Sequence, residues 1–347
     1  MKNCYFLGAN SKDGFASLYH EFAAGDGDRL HVIKGGPGTG KSGFMKKLGA
    51  AAERRGYDVE YVLCSGDPDS LDGVYIPALK EGWVDGTAPH VLDPKYFGAS
   101  GDYLNLGSFC RLPLSAADSA EVLRLNRAYK ALYGRAYAYL SAASDLRRAG
   151  APDLRDAALR EQVCRRVDGV LKRHTLRRES ASTARTRFLS AISCQGQLRL
   201  TEALSGYSLV YQLDDGYGLA AAALDYASAQ GSARGLSLIR CPSPLAPTET
   251  EALLLPEDGV ALLRGDWGIP NARHIRLDAL VPSAEQKTYR PELRRARRLE
   301  REAQDAAVDA LRQAKALHDE LEAVYRPYMD FDALSAFTEQ EIDRIFS

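Results

Sequence analysis

The chain has 347 residues, of which 45% are hydrophobic and 26% are charged, and its formal net charge is −1. This composition is ordinary for a globular protein with room for two domains, and it argues against a protein that coats nucleic acid. The six cysteines form no C-x-x-C pair, so no structural zinc site is expected. No apolar run is long enough to span a bilayer and no signal peptide is recognisable, which favours a cytoplasmic protein with no membrane partner.

The first 110 residues alternate short apolar runs with stretches of helical spacing. Leu30–Lys34 is predicted to be a strand, Ser42–Arg55 a helix that ends at Gly56, and Val59–Cys64 a second core strand. The spacing of Asp13–Phe22 predicts a further helix. Strand–helix–strand alternation with buried strands predicts a parallel sheet covered by helices.

The segment Gly35-Gly36-Pro37-Gly38-Thr39-Gly40-Lys41-Ser42 matches the phosphate-binding pattern G-x-x-x-x-G-K-[ST] at every required position. Glycines let the backbone N–H groups point at phosphates, and the helix N-terminus that follows adds positive potential. Lys41 is expected to contact the β- and γ-phosphates and Ser42 to be a Mg²⁺ ligand. We therefore predict that ATP and Mg²⁺ bind to this loop and to the adjacent Gly43.

Acidic residues follow the next two predicted strands. Asp85, after a short apolar run, is the first choice for a second Mg²⁺ ligand, although Asp85-Gly86 is also a common solvated turn. Asp67 begins a cluster that could orient the attacking water or hold a substrate hydroxyl; the alternative is turn and helix-cap chemistry before Leu71. His90 could contact the γ-phosphate or the water, or be structural. The cluster also contains Asp69 and Asp72.

The middle of the chain changes to helical patterning. An apolar stripe runs from Ser115 to about Arg148, Gly150–Pro152 interrupts it, and a second helix covers about Leu154 to His174, so a helical hairpin is predicted. From Arg124 to Arg187 there are 16 Lys and Arg against 6 Asp and Glu. This stretch could bind nucleic acid, but it has no recognisable reading motif, so a solvated or ion-paired face is preferred.

The second half repeats the pattern of the first at an offset of 177 to 182 residues. Phe6–Ala9 recurs at Phe188–Ala191, and in this alignment Lys41 becomes Leu219, Ser42 becomes Ala220 and Gly35 becomes Leu213. Cys64 aligns with Cys241, Asp67 with Pro244 and Asp85 with Arg264, and the other acids of the Asp67 cluster find no acidic counterpart. Asp214 and Asp215 would repel a triphosphate, so the second copy is predicted to have lost nucleotide binding.

The fold class predicted from these features is α/β, with two tandem P-loop NTPase-like parallel-sheet units that are each followed by a long helical appendage. The second appendage, Ala284–Tyr325, mixes charges of both signs and is predicted to be one long helix. The predicted domains are a core with the intact loop at 1–112, a helical hairpin at 113–183, a degenerate repeat at 184–282 and a C-terminal helical appendage at 283–347.

These motifs together resemble a little-characterised family of bacterial P-loop ATPases with two tandem P-loop-like halves. The matching pieces are Gly35–Ser42, Asp67–Asp72, Ile76-Pro77, Asp85–His90 and Ala316–Glu322, and the resemblance spans nearly the whole chain. It implies an ATPase without specifying a substrate. The second half departs most from the pattern, because Leu219 and Ala220 stand where a second phosphate loop would need lysine and serine.

The sequence thus predicts a Mg²⁺-dependent ATPase with one active site in the N-terminal half, coupled to an unknown protein or small-molecule partner. A small-molecule kinase is one alternative, with Asp67 or Asp72 positioning the acceptor. A nucleotide-gated binding module with negligible hydrolysis is another. The preference for ATP over GTP stays open, since the base is read by contacts outside the loop.

Overall fold

The computed structural model of the protein describes residues 2–89, 91–150, 156–179 and 182–347. It is an α/β structure with two mixed six-stranded sheets and long helices. The elements of the first half are β1 (Lys2–Tyr5), β2 (Gly8–Ser11), β3 (Gly14–Ser17), β4 (Arg29–Lys34), α1 (Lys41–Arg54), β5 (Val59–Leu63), β6 (Leu71–Ile76), β7 (Glu81–Asp85), β8 (Gly101–Asn105), α2 (Ala116–Gly150) and α3 (Ala157–His174).

The first sheet has the strand order β1–β5–β6–β7–β4–β8. β4 pairs in parallel with both β7 and β8, whereas β6 is antiparallel to β5 and to β7. The connections on either side of β6 are too short to contain the crossover that parallel pairing requires. The predicted purely parallel sheet is therefore wrong around β6, and right around the strand that precedes the glycine-rich loop.

The helix predicted over Asp13–Phe22 is also wrong. β2 and β3 form an antiparallel hairpin that turns at Gly14, where φ is +100°, and a single 3-10 turn over Tyr19–Glu21 follows. Tyr19 and Phe22 are both buried in the core, one from the turn and the other just after it. Their apolar character reflects burial, and the glycine turn prevents a continuous helix.

The second half repeats the topology of the first. Its sheet has the order β9–β13–β14–β15–β12–β16, with a β10–β11 hairpin beside it, so each strand has a counterpart in the first sheet. The elements are β9 (Ala184–Thr186), β10 (Ser190–Ser193), β11 (Gly196–Arg199), β12 (Leu209–Leu213), α4 (Ala220–Ala233), β13 (Leu238–Pro242), β14 (Thr250–Leu255), β15 (Val260–Arg264), β16 (Arg273–Ile275), α5 (Ser283–Tyr325) and α6 (Phe331–Phe346).

The helices are exchanged between the halves, and the predicted α2–α3 hairpin does not form. α2 packs along α5, the two longest helices, while α3 packs on α4 of the second half. In return, α6 at the C-terminus packs on α1 of the first half, where Leu334 and Ile342 join the core around Phe44 and Leu48. The helices α1 and α4, which pack on the sheets, each have an outer apolar face that needs a partner. For α1 that partner is α6, which follows α5 of the second half, and for α4 it is α3, which follows α2 of the first half.

The two halves meet through equivalent residues. The backbones of Phe6 and Phe188 exchange two N–H···O bonds of 2.9 Å, and both side chains are fully buried. Asn10 Nδ2 donates to the carbonyl oxygen of Ile192 at 2.8 Å, which ties the β2 and β10 hairpins together. The arrangement has an approximate two-fold character. None of the helices in the described ranges has the length and hydropathy to cross a membrane.

Candidate functional site

The glycine-rich loop connects β4 to α1, in the strand–loop–helix context that its sequence predicts. Gly38 and Gly40 have φ of +71° and +83°, values that other L-residues adopt only with strain. These two left-handed residues curl the chain so that Lys41 begins α1. The loop lies at the carboxyl end of β4, between its parallel neighbours β7 and β8.

Several backbone N–H groups of this loop remain without a protein acceptor. Among the described residues, the N–H groups of Gly38, Gly40, Lys41, Ser42 and Gly43 form no hydrogen bond within the chain. They belong to the loop and to the first turn of α1, where the helix dipole places a partial positive charge. A helix N-terminus with open donors of this kind is suited to bind a polyanion.

Lys41 and Asp85 lie side by side beneath the loop. Lys41 Nζ donates to the carbonyl oxygens of Gly35 and Gly36 at 3.0 and 2.9 Å, and it lies 3.6 Å from Asp85 Oδ2. Asp85 ends β7 next to the loop strand, and its Oδ1 accepts hydrogen bonds from the N–H and hydroxyl of Thr87 at 2.8 and 2.6 Å. One carboxylate oxygen of Asp85 is thus fixed by Thr87, and the other faces the lysine.

Ser42 and Thr39 fix the two ends of the loop. The hydroxyl of Ser42 accepts a hydrogen bond of 3.0 Å from the N–H of Leu71, which ties the start of α1 to the start of β6. The hydroxyl of Thr39 donates to the carbonyl oxygen of Gly36 at 2.8 Å. Ser42 can still offer a lone pair to a cation, since a hydroxyl oxygen accepts twice.

The Asp67 cluster has three distinct environments. Asp67 Oδ2 accepts from the hydroxyl of Ser70 at 3.0 Å and pairs with Lys315 at 3.5 Å, so it faces the cavity described below. Asp69 accepts from Gln195 Nε2 at 2.8 Å, across the interface between the halves. Asp72 is buried and accepts from the hydroxyl of Tyr19 at 2.7 Å. The segment turns directly into β6, so the turn alternative for this cluster is right and the helix-cap alternative is wrong.

The structure therefore places Lys41, Ser42, Asp85 and Asp67 around one cavity. His90 lies outside the described residues, and its role stays a prediction. The cavity measures about 760 Å³, with the glycine-rich loop and the ends of the strands as its floor. Such a volume suits a small-molecule or nucleotide ligand.

The long helices α2 and α5 form the opposite wall, which sequence reasoning did not predict. α2 contributes Tyr129, Tyr133 and Tyr137, and α5 contributes Lys315, His318 and Glu322. Tyr133 and Tyr137 also pack against a hydrophobic core cluster between α2 and α5. The helix α5 was predicted, but its place beside the glycine-rich loop was not. The one sequence feature that pointed to the site was the resemblance of Ala316–Glu322 to the ATPase family.

The C-terminal end of α5 touches the loop itself. A Cβ added at Gly38 would lie 3.1 Å from the carbonyl oxygen of Glu322, and one added at Gly36 would lie 3.9 Å from the ring of Tyr325. Lys315 also pairs with Asp319 at 2.6 Å. Although burial acts to lower it, the carboxylates of Asp319 and Asp67 raise the pKa of Lys315, so its positive charge is secure at neutral pH.

His318, Asp319 and Glu322 could bring one ligand atom each to a common metal ion, since those atoms lie within 4.8 Å of one another. His318 Nδ1 is 3.7 Å from Glu322 Oε1, and its ring packs 5.6 Å from that of Tyr129. Asp319 is already paired with Lys315, which competes with a metal for the same oxygens. We therefore treat the group as part of the cavity wall.

The corresponding loop of the second half is shorter and is filled by the chain's own groups. In the second sheet Leu213 pairs with Arg264, just as Ile33 pairs with Asp85 in the first, so Leu213 corresponds to Ile33. Counted from these strands, the helix α4 should begin one residue after Ala220, but it begins at Ala220. The second loop is therefore one residue shorter. By helix start, Ala220 therefore corresponds to Lys41, and Leu219 corresponds to Gly40. The sequence alignment was therefore wrong: by strand pairing Leu213 corresponds to Ile33 and not to Gly35, an error of two residues. The deletion reduces the error to one residue at the helix start, where Lys41 had been aligned with Leu219 and Ser42 with Ala220.

Two carboxylates occupy the donor groups of the second loop. Asp215 Oδ1 accepts from the N–H of Ala220 at 3.0 Å, and Asp278 Oδ2 accepts from the N–H of Gly216 at 2.9 Å. Arg264 pairs with Asp215 Oδ2 at 2.5 Å. An internal anion thus sits at the N-terminus of α4, at the position equivalent to the open donors of α1.

The pairing of β13 with β14 corrects the alignment of the remaining acids. In the first half the N–H of Cys64 donates to the carbonyl oxygen of Ser70, and in the second half the N–H of Ser243 donates to the carbonyl oxygen of Glu249. Cys64 therefore corresponds to Ser243 and not to Cys241. By the same offset Asp67 corresponds to Ala246 and not to Pro244. Asp72 corresponds to Glu251, an acidic counterpart that the sequence alignment missed. Glu251 accepts from the hydroxyl of Ser190, and burial raises the pKa of its carboxyl.

Comparison of the chain with protein-family models, with curated proteins and with solved structures gives no match. The assignment of a function therefore depends on the geometry of the site and on the contrast between the two halves.

Proposed function

We propose that the protein binds one Mg²⁺–nucleoside triphosphate in the N-terminal half and hydrolyses it, with ATP as the expected nucleotide. The observation that carries the proposal is the difference between two loops in one topology. In the first, the N–H groups at the start of α1 have no protein acceptor and Lys41 lies beside them. In the second, a carboxylate occupies the equivalent position and the lysine is absent.

In this proposal the N–H groups from Gly38 to Gly43 hold the phosphates. Lys41 leaves the carbonyl oxygens of Gly35 and Gly36 to contact the β- and γ-phosphates, which as charged acceptors bind an ammonium more strongly. Ser42 is a direct Mg²⁺ ligand, and Asp85 binds the metal's water shell from the end of the neighbouring strand.

Asp67, with Lys315, faces the cavity from the turn between β5 and β6, and in this proposal it orients the attacking water. His90 is proposed as a further contact of the γ-phosphate. No glutamate adjoins Asp85, so hydrolysis is expected to be slow.

The proposed fold relationship is to P-loop nucleoside triphosphatases, as two tandem units of which one is degenerate, and the proposed family is the bacterial ATPase family that the sequence resembles. The domain boundaries at 1–112, 113–183, 184–282 and 283–347 belong to the same proposal. The exchanged α3 and α6 would then couple the units, so that each half depends on the other for a complete core.

Coupling to a partner is proposed to run through α5. The end of this helix contacts the loop at Gly38 and Gly36, so a triphosphate that tightens the loop also shifts the contact with Glu322. α5 then packs along α2 over most of its length. Movement at the nucleotide would therefore reach a surface that a protein partner can recognise.

A small-molecule kinase is the second candidate, because the cavity of about 760 Å³ extends from the loop to Asp67 and to the tyrosines of α2. Asp67 would then position an acceptor hydroxyl instead of water. A kinase would release ADP much faster with its acceptor present, whereas a nucleotide-gated module would bind ATP and turn over no faster than Lys41→Ala protein.

The test is calorimetric titration of Mg²⁺–ATP and Mg²⁺–GTP, together with phosphate release, for the wild type and for Lys41→Ala. We expect one site in the wild type and loss of binding in the variant. Lys47→Ala is the matched control, because Lys47 lies exposed on the same helix and its ammonium group donates to the hydroxyl of Ser335, away from the cavity. Two equal sites per chain, or unchanged affinity in Lys41→Ala, would refute the proposal.

A further inference from the structure

A second cavity of about 420 Å³ lies beside the degenerate loop. Its walls are the β10–β11 hairpin, the loop from 214 to 219, and another stretch of the same helices α2 and α5 that cover the first cavity. The two cavities are thus equivalent in the repeated topology. In the second one, however, the position for a phosphate at the start of α4 is filled by Asp215.

Guanidinium groups dominate the lining of this second cavity. Two of them are neutralised within the chain. Arg264 pairs with Asp215 and with Glu249, each at 2.5 Å, and Arg147 pairs with Glu249 at 3.1 Å and approaches Glu300 at 3.9 Å. These pairs form one chain, Glu300–Arg147–Glu249–Arg264–Asp215, in which three carboxyls face two guanidinium groups. The chain stabilises the wall but adds no net positive charge to it.

Three further arginines line the cavity, and among the residues that the structure describes none of them has a carboxylate oxygen within 4.0 Å. Arg199 donates to the main-chain carbonyl oxygen of Asp266 and lies over the ring of Trp267. Arg297 donates to main-chain carbonyl oxygens of the degenerate loop. A carbonyl oxygen satisfies a donor but does not neutralise its charge. Arg297 and Arg301 are four residues apart on α5 and therefore lie on one face, with Arg199 supplied by β11.

Against its five guanidinium groups, the lining has three carboxyls, those of Asp215, Glu251 and Glu300. Burial raises the pKa of Glu251, although the hydroxyl of Ser190 and the charges of Arg199, Arg264 and Arg147 act against it. Burial also raises the pKa of Glu300, in spite of the nearby Arg147. The cavity is therefore concave, of small-molecule size and positively charged on one side.

We propose that this second cavity binds a small polyanion, a molecule with two or more carboxylate or phosphate groups that fits within about 420 Å³. Arg199, Arg297 and Arg301 would hold its anionic groups, since guanidinium pairs with both carboxylate and phosphate in bidentate geometry. Arg297 would exchange its carbonyl partners for the ligand. The site acts independently of the glycine-rich loop, and α5 connects it to the first cavity.

The experiment is calorimetric titration of the full chain with citrate and, separately, with pyrophosphate at constant ionic strength. It uses the Lys41→Ala background, because pyrophosphate would also bind the glycine-rich loop. We expect saturable binding of at least one probe, weakened roughly tenfold or more by the double substitution Arg297→Gln/Arg301→Gln. If only citrate binds, the ligand class is a polycarboxylate. If only pyrophosphate binds, it is a polyphosphate, and binding of both probes would indicate a site for polyanions of either kind.

The matched control is Arg294→Gln/Arg295→Gln, which removes the same charge from exposed positions of α5 outside the cavity lining. Its affinity for the probes should stay within about twofold of the background, and equal melting temperatures would show that both double variants fold. The absence of saturable binding for both probes overturns the proposal. So does equal weakening by the two double variants, since that would indicate only general attraction between charges.

Discussion

Replacement of Arg264 by glutamine should destabilise the protein through the degenerate loop. Arg264 and Asp215 have side chains only 14% and 15% exposed, and their atoms approach to 2.5 Å. The carboxylates of Asp215 and Glu249 hold the pKa of Arg264 above its usual range, although burial acts to lower it. Removal of one member of a buried ion pair costs about 3–5 kcal/mol, because it leaves the partner charge buried and unpaired.

Two features reduce that figure toward its lower end. Glu249 is 39% exposed and keeps Arg147 as a partner. Loss of the Arg264–Glu249 pair therefore contributes about 1 kcal/mol or less to the destabilisation, as is usual for a pair screened by solvent. Asp215 keeps the hydrogen bond from the N–H of Ala220. We therefore expect Arg264→Gln to lower the free energy of unfolding by about 3 kcal/mol, measured by urea denaturation at pH 7.

The double variant Arg264→Gln/Asp215→Asn removes both charges and should recover a good part of the loss, giving a coupling energy of about 1–3 kcal/mol. Although burial raises it, the guanidinium groups of Arg147 and Arg264 lower the pKa of Glu249 overall. Its stabilising share is therefore present above the unfolded value of about 4.3 and disappears as the pH falls. A loss below about 1 kcal/mol, or strictly additive single substitutions, would refute the reasoning.

Three further predictions concern the loop, the metal and a buried acid. Asp85→Asn should retain nucleotide binding but reduce Mg²⁺-dependent phosphate release by roughly 10²-fold or more; an unchanged rate would remove Asp85 from the site. Gly38→Ala should lower the free energy of unfolding by about 1–2 kcal/mol, because φ is +71° there and the new Cβ would lie 3.1 Å from the carbonyl oxygen of Glu322. The control Gly169→Ala, within α3, should raise it by up to about 1 kcal/mol. Equal effects of the two substitutions in urea denaturation would contradict this prediction. Glu251→Gln should raise stability at pH 7–8, since burial raises the pKa of this carboxyl and folding penalises its ionised form. The gain should vanish as the pH falls below about 4.3, and a gain that is independent of pH would argue against it.

The sequence alone was sufficient for the strand, loop and helix around Lys41. These elements depend on contacts close in the chain, namely a buried apolar run, glycines at positive φ and a helix with one apolar face. The doubling of the unit was also visible, because both copies retain the pattern of buried residues that one topology requires.

The tertiary structure decided the direction of β6, the partners of α3 and α6, and the register of the degenerate loop. Strand direction depends on connection length and pairing, which the apolar pattern of β6 does not record. A helix with one apolar stripe can cover any complementary face, so only the assembled fold selects α4 for α3 and α1 for α6. The deletion before Ala220 became visible only when strand pairing and helix start were compared.

The composition of the cavities is likewise a tertiary property. Lys315 and Asp67 are 248 positions apart and belong to different halves, yet they lie 3.5 Å from each other because α5 crosses the strand ends of the first sheet. No local pattern contains that distance. The local chemistry of the glycine-rich loop was thus determined by the sequence, whereas the groups that face it and fill its degenerate counterpart were determined by how the two halves pack together.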